Sequence, residues 1–328
     1  MDALSEVLRT VKLDAAFFFN AEFSAPWGFR SPISSKLAPY INQSRGHVIV
    51  YHLLIEGKAY VHLGDERLAI APGDVVICPH GDSHAFESGS SPRAVDGEGE
   101  LQRIFSQGLK LSRMGGGGEL ARFVCGYMVC EPSLSRVFLA GLPPMFKVNI
   151  RQDQSGRWLE NSIRYALSDG DASTEGTEAV LAKLCETLFI ETLRRYVKGL
   201  PEAQTGWLAG AHDAQVGKVL AVMHRQTATR WTLSSLANVA GMSRAVLAHR
   251  FRQYLGEPPL SYLTRWRLQQ GAQMLTSTRD SVAQIATKVG YESEQAFNRA
   301  FKRSFGAPPA RYRNARRDKA VSRRSESQ

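Results

Sequence analysis

The chain has 328 residues, a length that suits two domains, and its 41 Lys/Arg against 31 Asp/Glu give a formal net charge of +10. No run approaches the ~20 apolar residues of a membrane span, and the start, "MDALSEVLRTVKLDAAFFFNAEF", lacks the long apolar core of a signal peptide, so a cytoplasmic protein is expected and a membrane one is not. Four cysteines, Cys78, Cys125, Cys130 and Cys185, are too few to staple a chain of this size, which leaves reduced thiols as the expectation.

Residues 1–150 read as short strands separated by turns. "VIVYHLLIEGKAYVHLG" gives two strands about a turn at Glu56-Gly57-Lys58, and "ERLAIAPGDVVICPHGDSHAF" continues with turns at Pro72-Gly73 and Pro79-His80-Gly81. Segment 88–119, with "SGSSPR", "DGEGE" and "GGGG", has no apolar periodicity and is expected to be loop, before a further strand in "ELARFVCGYMVCE". Many short strands at this spacing imply a sandwich or small barrel. The period then changes. Residues 151–210 read as a helical linker or dimerisation segment. Its clearest part is "TEAVLAKLCETLFIETLRRYVKG", with Val180, Leu181, Leu184, Cys185, Leu188, Leu193 and Tyr196 on one stripe, followed by a linker from Pro201.

From residue 211 the composition turns basic. Residues 211–328 hold 20 Lys/Arg against 7 Asp/Glu, whereas the preceding 210 hold 21 against 24, so the last third is suited to a polyanion. The same stretch repeats itself. "GMSRAVLAHRFRQYLGEPP" at 241–259 returns as "GYESEQAFNRAFKRSFGAPP" at 290–309, with Phe251, Gly256, Pro258 and Pro259 matched fifty positions on by Phe301, Gly306, Pro308 and Pro309. Each copy reads as a short helix closed by Gly241 or Gly290, a turn, and a second helix capped by Ser243 or Ser293. Leu247, Phe251 and Leu255 in the first, and Phe297, Phe301 and Phe305 in the second, share an inward face. Outward lie Arg244, Ala245, Ala248, His249 and Arg252, and Glu294, Gln295, Asn298, Arg299 and Lys302. This is the helix-turn-helix arrangement, whose second helix enters a DNA major groove. Between the copies, Leu260 to Thr276 reads as a helix about 25 Å long, a spacer on the scale of one DNA turn. Residues 316–328 read as a basic disordered tail.

Residues 213–313 resemble the tandem helix-turn-helix domain of AraC/XylS-type bacterial transcription regulators. The match rests on "LANVAGMSRAVLAHRFRQYLGEPP", "YLTRWRLQQGAQML" and "SVAQIATKVGYESEQAFNRAFKRSFGAPPARYR". The resemblance implies double-stranded DNA as partner, a homodimer on paired half-sites, and contact with RNA polymerase when activating. It implies base readers at Ala245, Ala248 and His249 in the first copy and at Gln295, Asn298 and Arg299 in the second. Candidate backbone contacts are Arg244, Arg250, Arg252, Arg265, Arg267, Lys302 and Arg303.

The front half resembles the cupin domain often joined to such a reader. "GDVVICPHGDSH" matches the second cupin motif as Gly73-x5-Pro79-x-Gly81-x2-His84, and Gly46-x5-His52 begins the first, but Leu54 stands where a second histidine belongs. A reduced set of His52, Glu56 and His84 is the candidate for a divalent metal, with Cys78 and His80 a weaker pair. Cys125 and Cys130 are the candidate redox pair, although five residues of strand would hold them about 16 Å apart on opposite faces. The expected architecture is a multidomain α+β chain: cupin-like β-barrel sensor (1–150), linker helices (151–210) and an all-α tandem helix-turn-helix domain (211–315). The expected function is a sequence-specific transcription regulator whose barrel senses a small molecule, metal or redox signal. The rivals are a metal-dependent cupin enzyme with an accessory DNA-binding module, which Leu54 argues against, and a non-specific architectural DNA binder.

Overall fold

A computed structural model of the chain describes residues 2–10, 13–37, 40, 47–88, 95–107, 111–130, 139, 141–168, 175–201 and 204–315. It divides into two compact units, one of residues 12–132 and 142–200, the other of residues 1–11, 133–141 and 201–328. The expected boundaries at 150 and 210 are therefore redrawn by packing. The helices after residue 150 belong to the barrel unit, and the first helix, α1 (Ala3–Thr10), belongs with the C-terminal helices. The expected tail, 316–328, lies outside the described residues.

The barrel unit is built from two facing sheets. Its strands are β1 (Leu13–Ser24), β2 (Trp27–Ser31), β3 (His47–Glu56), β4 (Ala59–Leu63), β5 (Glu66–Ile70), β6 (Asp74–Cys78), β7 (His84–Ser88), β8 (Val95–Asp96), β9 (Ser112–Gly115), β10 (Leu120–Cys130) and β11 (Phe146–Asn149). The six-stranded sheet runs β11-β6-β3-β10-β1-β9 and the five-stranded one β5-β4-β7-β2-β8. The turn at 56–58 is thus a corner and not a hairpin, because β3 and β4 lie in different sheets. A one-turn helix, α2 (Ser34–Leu37), follows β2, and segment 88–119 is not all loop: it holds β8, β9 and a helix, α3 (Gly97–Gln107), which buries Ile104.

β3 and β6 are buried almost throughout, from Val48 to Ile55 and from Asp74 to Cys78, because each has both faces covered. One face looks into the core between the sheets. The other is covered on the helical side, where α4 (Gln154–Ser168) packs on α5 (Thr177–Lys198), and α5 packs on β1 and β11. Leu181, Cys185, Leu188, Phe189, Leu193 and Val197 are the buried stripe of α5. Of the expected stripe, Val180 is exposed at the start of the helix, beyond the packed face, while Leu184 and Tyr196 are half-buried and the rest is covered by its own unit. Arg151 holds the buried carboxylate of Glu160 at 2.5 Å, and Arg195 joins Asp153 and Glu191, which pins the two helices at their ends.

The C-terminal unit is helical: α6 (Trp207–His212), α7 (Val216–Arg225), α8 (Leu233–Ala240), α9 (Arg244–Leu255), α10 (Pro259–Ser277), α11 (Val282–Lys288) and α12 (Glu294–Phe305), with a further helical stretch at 309–315. α6 falls where a linker was expected. Its Trp207 is buried, and the indole Nε1 donates to Tyr262 Oη at 2.8 Å, so this segment belongs to the core. α1 packs on α7 and buries Ala3 and Val7. Pro259 opens α10, whose 19 residues span about 28 Å and bury Tyr262, Leu263, Trp266, Leu268 and Leu275.

α10 crosses the second copy at Gly271. A Cβ there would lie 2.8 Å from the Phe297 ring of α12, so only glycine lets the rod and that helix meet. Gly271→Ala is expected to displace Phe297 and cost about 1–3 kcal/mol. A thermal melt of the full chain would show it, and an unchanged midpoint would mean that the contact relaxes freely.

Candidate nucleic-acid interface and barrel cavity

The two helix-turn-helix copies are built by the same local chemistry. Gly241 closes α8 in the left-handed conformation at φ 64°, and Gly290 takes φ 85° at the equivalent turn. Ser243 Oγ accepts from the Val246 amide at 3.3 Å, and Ser293 Oγ accepts from the Ala296 amide at 3.2 Å. Gly256 and Gly306 end the two second helices, both in the left-handed region. Capping boxes start α8 and α11, through Thr232 with Ser235 and Ser281 with Gln284. Leu247 and Phe251, and Phe297 and Phe301, are fully buried, as the inward face requires.

The remaining face of each second helix is open. Arg244, Ala245, His249 and Arg252 of α9 are exposed and Ala248 is half-buried; Gln295, Arg299, Lys302 and Arg303 of α12 are exposed and Asn298 is half-buried. Val246, which the sequence reading passed over, is also exposed on α9, a position where an apolar side chain has no core to explain it.

Three of the arginines expected on the phosphate backbone are otherwise engaged. Arg250 pairs with Asp213 and Gln215, tying α9 to the start of α7, where Asp213 also receives the amides of Gln215 and Val216. Arg265 donates to Glu257 at 2.8 Å and lies over the Tyr262 ring. Arg267 donates from Nε to Thr227 O at 2.9 Å and from Nη2 to Thr229 O at 2.7 Å. Its guanidinium also abuts the turn at Gly290, so it braces the first copy against the second. Sequence spacing places these arginines on helices, but only the packed loops reveal which carbonyls and carboxylates claim them.

His224 sits at the heart of this unit. It stacks on Trp266 at 4.1 Å and shares a 2.8 Å hydrogen bond with Tyr262 Oη. Burial pushes its pKa down to about 3, so the ring is neutral. Tyr262 Oη accepts from the Trp207 indole and makes its second bond with His224 Nε2, so one hydroxyl joins α6, α7 and α10.

In the barrel unit a cavity of about 80 Å³ lies between the sheets, lined mainly by rings, among them Phe23, Phe29, Phe86, Phe123 and Tyr127. His52 lines it as well. His52 Nε2 and His84 Nε2 are 2.7 Å apart, and His84 Nδ1 lies 2.8 Å from Asp82 O. Burial depresses both rings, His84 to about 4 and His52 well below the usual histidine range, the latter with help from His84 beside it. A carbonyl only accepts, so His84 Nδ1 carries that ring's single proton and its Nε2 is bare. His52 Nε2 must then be the donor between them, which leaves His52 Nδ1 as an unprotonated acceptor.

The expected metal set is not assembled. Glu56 is exposed at the end of β3, because pairing with β10 passes from Leu54–Phe123 to Glu56–Arg122 and skips Ile55, an irregularity that turns the carboxylate off the histidine face. Among the described residues no three His, Cys, Asp or Glu gather at one point, so these residues do not fit a divalent ion. Cys78 is buried, its thiol pushed up by desolvation, and His80 Nε2 lies 3.1 Å from Leu142 O, so that pair is not a ligand set either. Cys125 lines the cavity and Cys130 is buried with its Sγ 3.6 Å from His47 O, five residues along one unbroken strand. Both are free thiols, and desolvation raises Cys125 far from thiolate formation. They do not form a redox pair.

Comparison with known proteins decides the family. Residues 2–198 match the cupin family model and residues 236–315 the helix-turn-helix domain model. RclR of Escherichia coli (strain K12), an RCS-specific HTH-type transcriptional activator, is 30% identical over 81% of this chain and 84% of its own length. AlkR of Acinetobacter baylyi, an HTH-type transcriptional regulator, is 26% identical over 95% of this chain and 99% of its own. MtrA of Neisseria gonorrhoeae, also an HTH-type transcriptional regulator, is 27% identical over 80% and 85%. The chain belongs to the AraC family of transcription regulators. This AraC-family regulator joins a cupin domain to a DNA-binding helix-turn-helix domain. No helix among its described residues is long and apolar enough to cross a membrane.

The buried neutral histidines, His52 and His84 in the barrel and His224 in the helical unit, are expected to make this regulator acid-sensitive. Folded-state pKa values below the unfolded value of about 6.5 mean that the unfolded chain binds protons first. The stability these rings contribute is complete above about pH 6.5 and falls as pH drops toward about 4, by about 1.4 kcal/mol per pH unit per histidine. Urea midpoints at about pH 7.5 and about pH 5 check this; equal midpoints would show that the rings are charged or hydrated in the folded state.

Proposed function

We propose that this DNA-binding regulator is sequence-specific, that it acts in the cytoplasm as a homodimer on paired half-sites, and that its barrel receives the signal that sets its affinity for DNA or its contact with RNA polymerase. It carries out no catalysis of its own. The observation that carries the reading is the pair of serine-capped helices, α9 and α12, each with a buried apolar face and an open face on a basic unit. The open face of α12 has the chemistry of direct readout. Gln295 and Asn298 carry amides that pair with adenine, and Arg299 a fork that fits guanine. On α9 the readers are Ala245, Ala248 and His249, with methyl groups that suit thymine. Arg244, Arg252, Lys302 and Arg303 are the side chains suited to phosphates, while Arg250, Arg265 and Arg267 hold the fold together.

The amides of α12 favour specific over architectural binding, because each can form a bidentate pair with an adenine edge. The barrel's role as receiver rests on its ring-lined cavity, and a ligand acts through unequal affinity for two states of the protein.

Selection of bound duplexes from a random pool by the full chain should return a consensus of paired sites; a pool no different from input would remove the sequence-specific reading. Arg299→Ala should cost about 1–3 kcal/mol on that consensus and relax one base position. Lys302→Ala should instead weaken all duplexes alike and reduce the salt slope by about one. Arg267→Ala should lower the melting temperature and leave the slope per phosphate contact intact. Gel-shift titrations across salt concentrations separate the three, and a slope change for Arg267→Ala would return that residue to the phosphate set.

A further inference from the structure

The cavity has a chemistry that narrows what it accepts. Among the described residues its lining includes no Lys, Arg, Asp or Glu, so an ionised ligand would lose its hydration with none of these charges to replace it. A sugar or other polyol would bury several hydroxyls against rings. The volume, about 80 Å³, has room for roughly five to eight water-sized groups, the scale of a single six-membered ring with one substituent.

One polar atom stands out. His52 is 5% exposed, lines the cavity, and its Nδ1 has no hydrogen-bond partner among the described residues. The hydrogen-bond chain from the Asp82 carbonyl through His84 fixes that nitrogen as a lone pair without a proton. A bare buried acceptor is satisfied only by a donor. Water would do this at the cost of immersion among phenylalanines; an apolar molecule with one O–H or N–H satisfies the nitrogen and the rings together.

We propose that the barrel cavity binds a small uncharged apolar molecule bearing a single O–H or N–H donor, of which phenol is the simplest, with that donor on His52 Nδ1. Its ring packs against Phe86, which lies 4.6 Å from His52, and against Phe123, 5.4 Å from Phe86. The inference rests on the barrel being the signal-receiving unit, and deepens that reading by naming the class of signal.

Calorimetry on the full chain compares three probes: phenol, anisole, which keeps the ring but has no donor, and benzoate, which is charged. Phenol is expected to bind about tenfold more tightly than anisole, and benzoate not to bind. Equal affinity for phenol and anisole, tighter binding of benzoate, or no binding of phenol would each overturn the proposal. His52→Phe should erase the difference between phenol and anisole. Because that variant also strips His84 of its donor and can fail to fold, long-range ¹H–¹⁵N spectra of the wild-type histidine rings give an independent readout. An unprotonated ring nitrogen should shift with phenol and not with anisole, and a histidine spectrum unmoved by phenol rejects the site. Gel shifts on the selected duplex, with and without saturating phenol, test the receiving role separately. If phenol binds with donor selectivity and DNA affinity and transcription do not respond, the receiving role falls and the site stands; if phenol does not bind, the site falls and the DNA-reading assignment is untouched.

Discussion

α10 is the member on which the geometry of the DNA-binding unit depends. A continuous helix of 19 residues kinks sharply only where its backbone hydrogen-bond ladder is interrupted, so what is fastened to it moves with it. At its first turns Tyr262 and Trp266 close on Trp207 and His224; at its far end Leu268, Ala272 and Leu275 close on Ile285, Phe297 and Phe301. The first cluster meets the first helix-turn-helix copy through Phe251 of α9, whose ring lies 6.2 Å from Tyr262, and the second is the core of the second copy. Arg267 then locks the copies together by taking two carbonyls from the 227–229 loop while lying against the Gly290 turn. The exposed pair Arg230–Glu292 spans the same junction, though its solvent exposure makes it a minor contributor. Two helices mounted this way present their open faces at a set separation, and under the proposed reading a duplex has to offer its bases at that spacing.

The barrel obeys a different constraint, that of low polarity. With rings around the cavity, every polar atom left inside has to be neutral and partnered or remain costly. This forces His52 and His84 into one tautomeric arrangement and keeps the Cys125 thiol protonated. The same condition that disqualifies the site as a metal centre or a thiol switch makes it selective toward a neutral donor. Leu54, where a second metal-binding histidine would stand, is itself fully buried and part of that apolar core.

What was legible in the sequence follows from the range of the forces involved. The helix-turn-helix copies were readable because a serine cap, a left-handed glycine and an apolar stripe are decided within a dozen residues. The barrel strands were readable for the same reason, and so were the inward phenylalanines. Glu56 was misplaced because strand alternation assumes an unbroken ladder, and the residue skipped at Ile55 depends on β10, some seventy positions away. α3 was missed because glycines flank and interrupt a stretch whose apolar residues find their cover only in the assembled barrel. The inward roles of Arg250, Arg265 and Arg267 depend on Asp213, Glu257 and two loop carbonyls; an arginine's partner is a tertiary fact, and composition counts every guanidinium alike.

DNA affinity and specificity draw on different side chains within the molecule. Counterion release scales with the cations that reach phosphates, not with net charge. Three arginines consumed by ion pairs and carbonyls contribute to rigidity, so the salt dependence of binding is weaker than the basic composition of this third of the chain suggests. Specificity divides too. Under the proposed reading, α12 offers two amides and a guanidinium, each able to form directional bonds with a base edge. α9 offers Ala245, Val246 and Ala248, whose contacts are short and apolar, with His249 the polar member. Apolar contact with a methyl group discriminates less sharply than a bidentate bond, so the half of the site under α12 carries the stricter sequence requirement. The rigid mount on α10 then turns that one strict half into a constraint on where the looser half must sit.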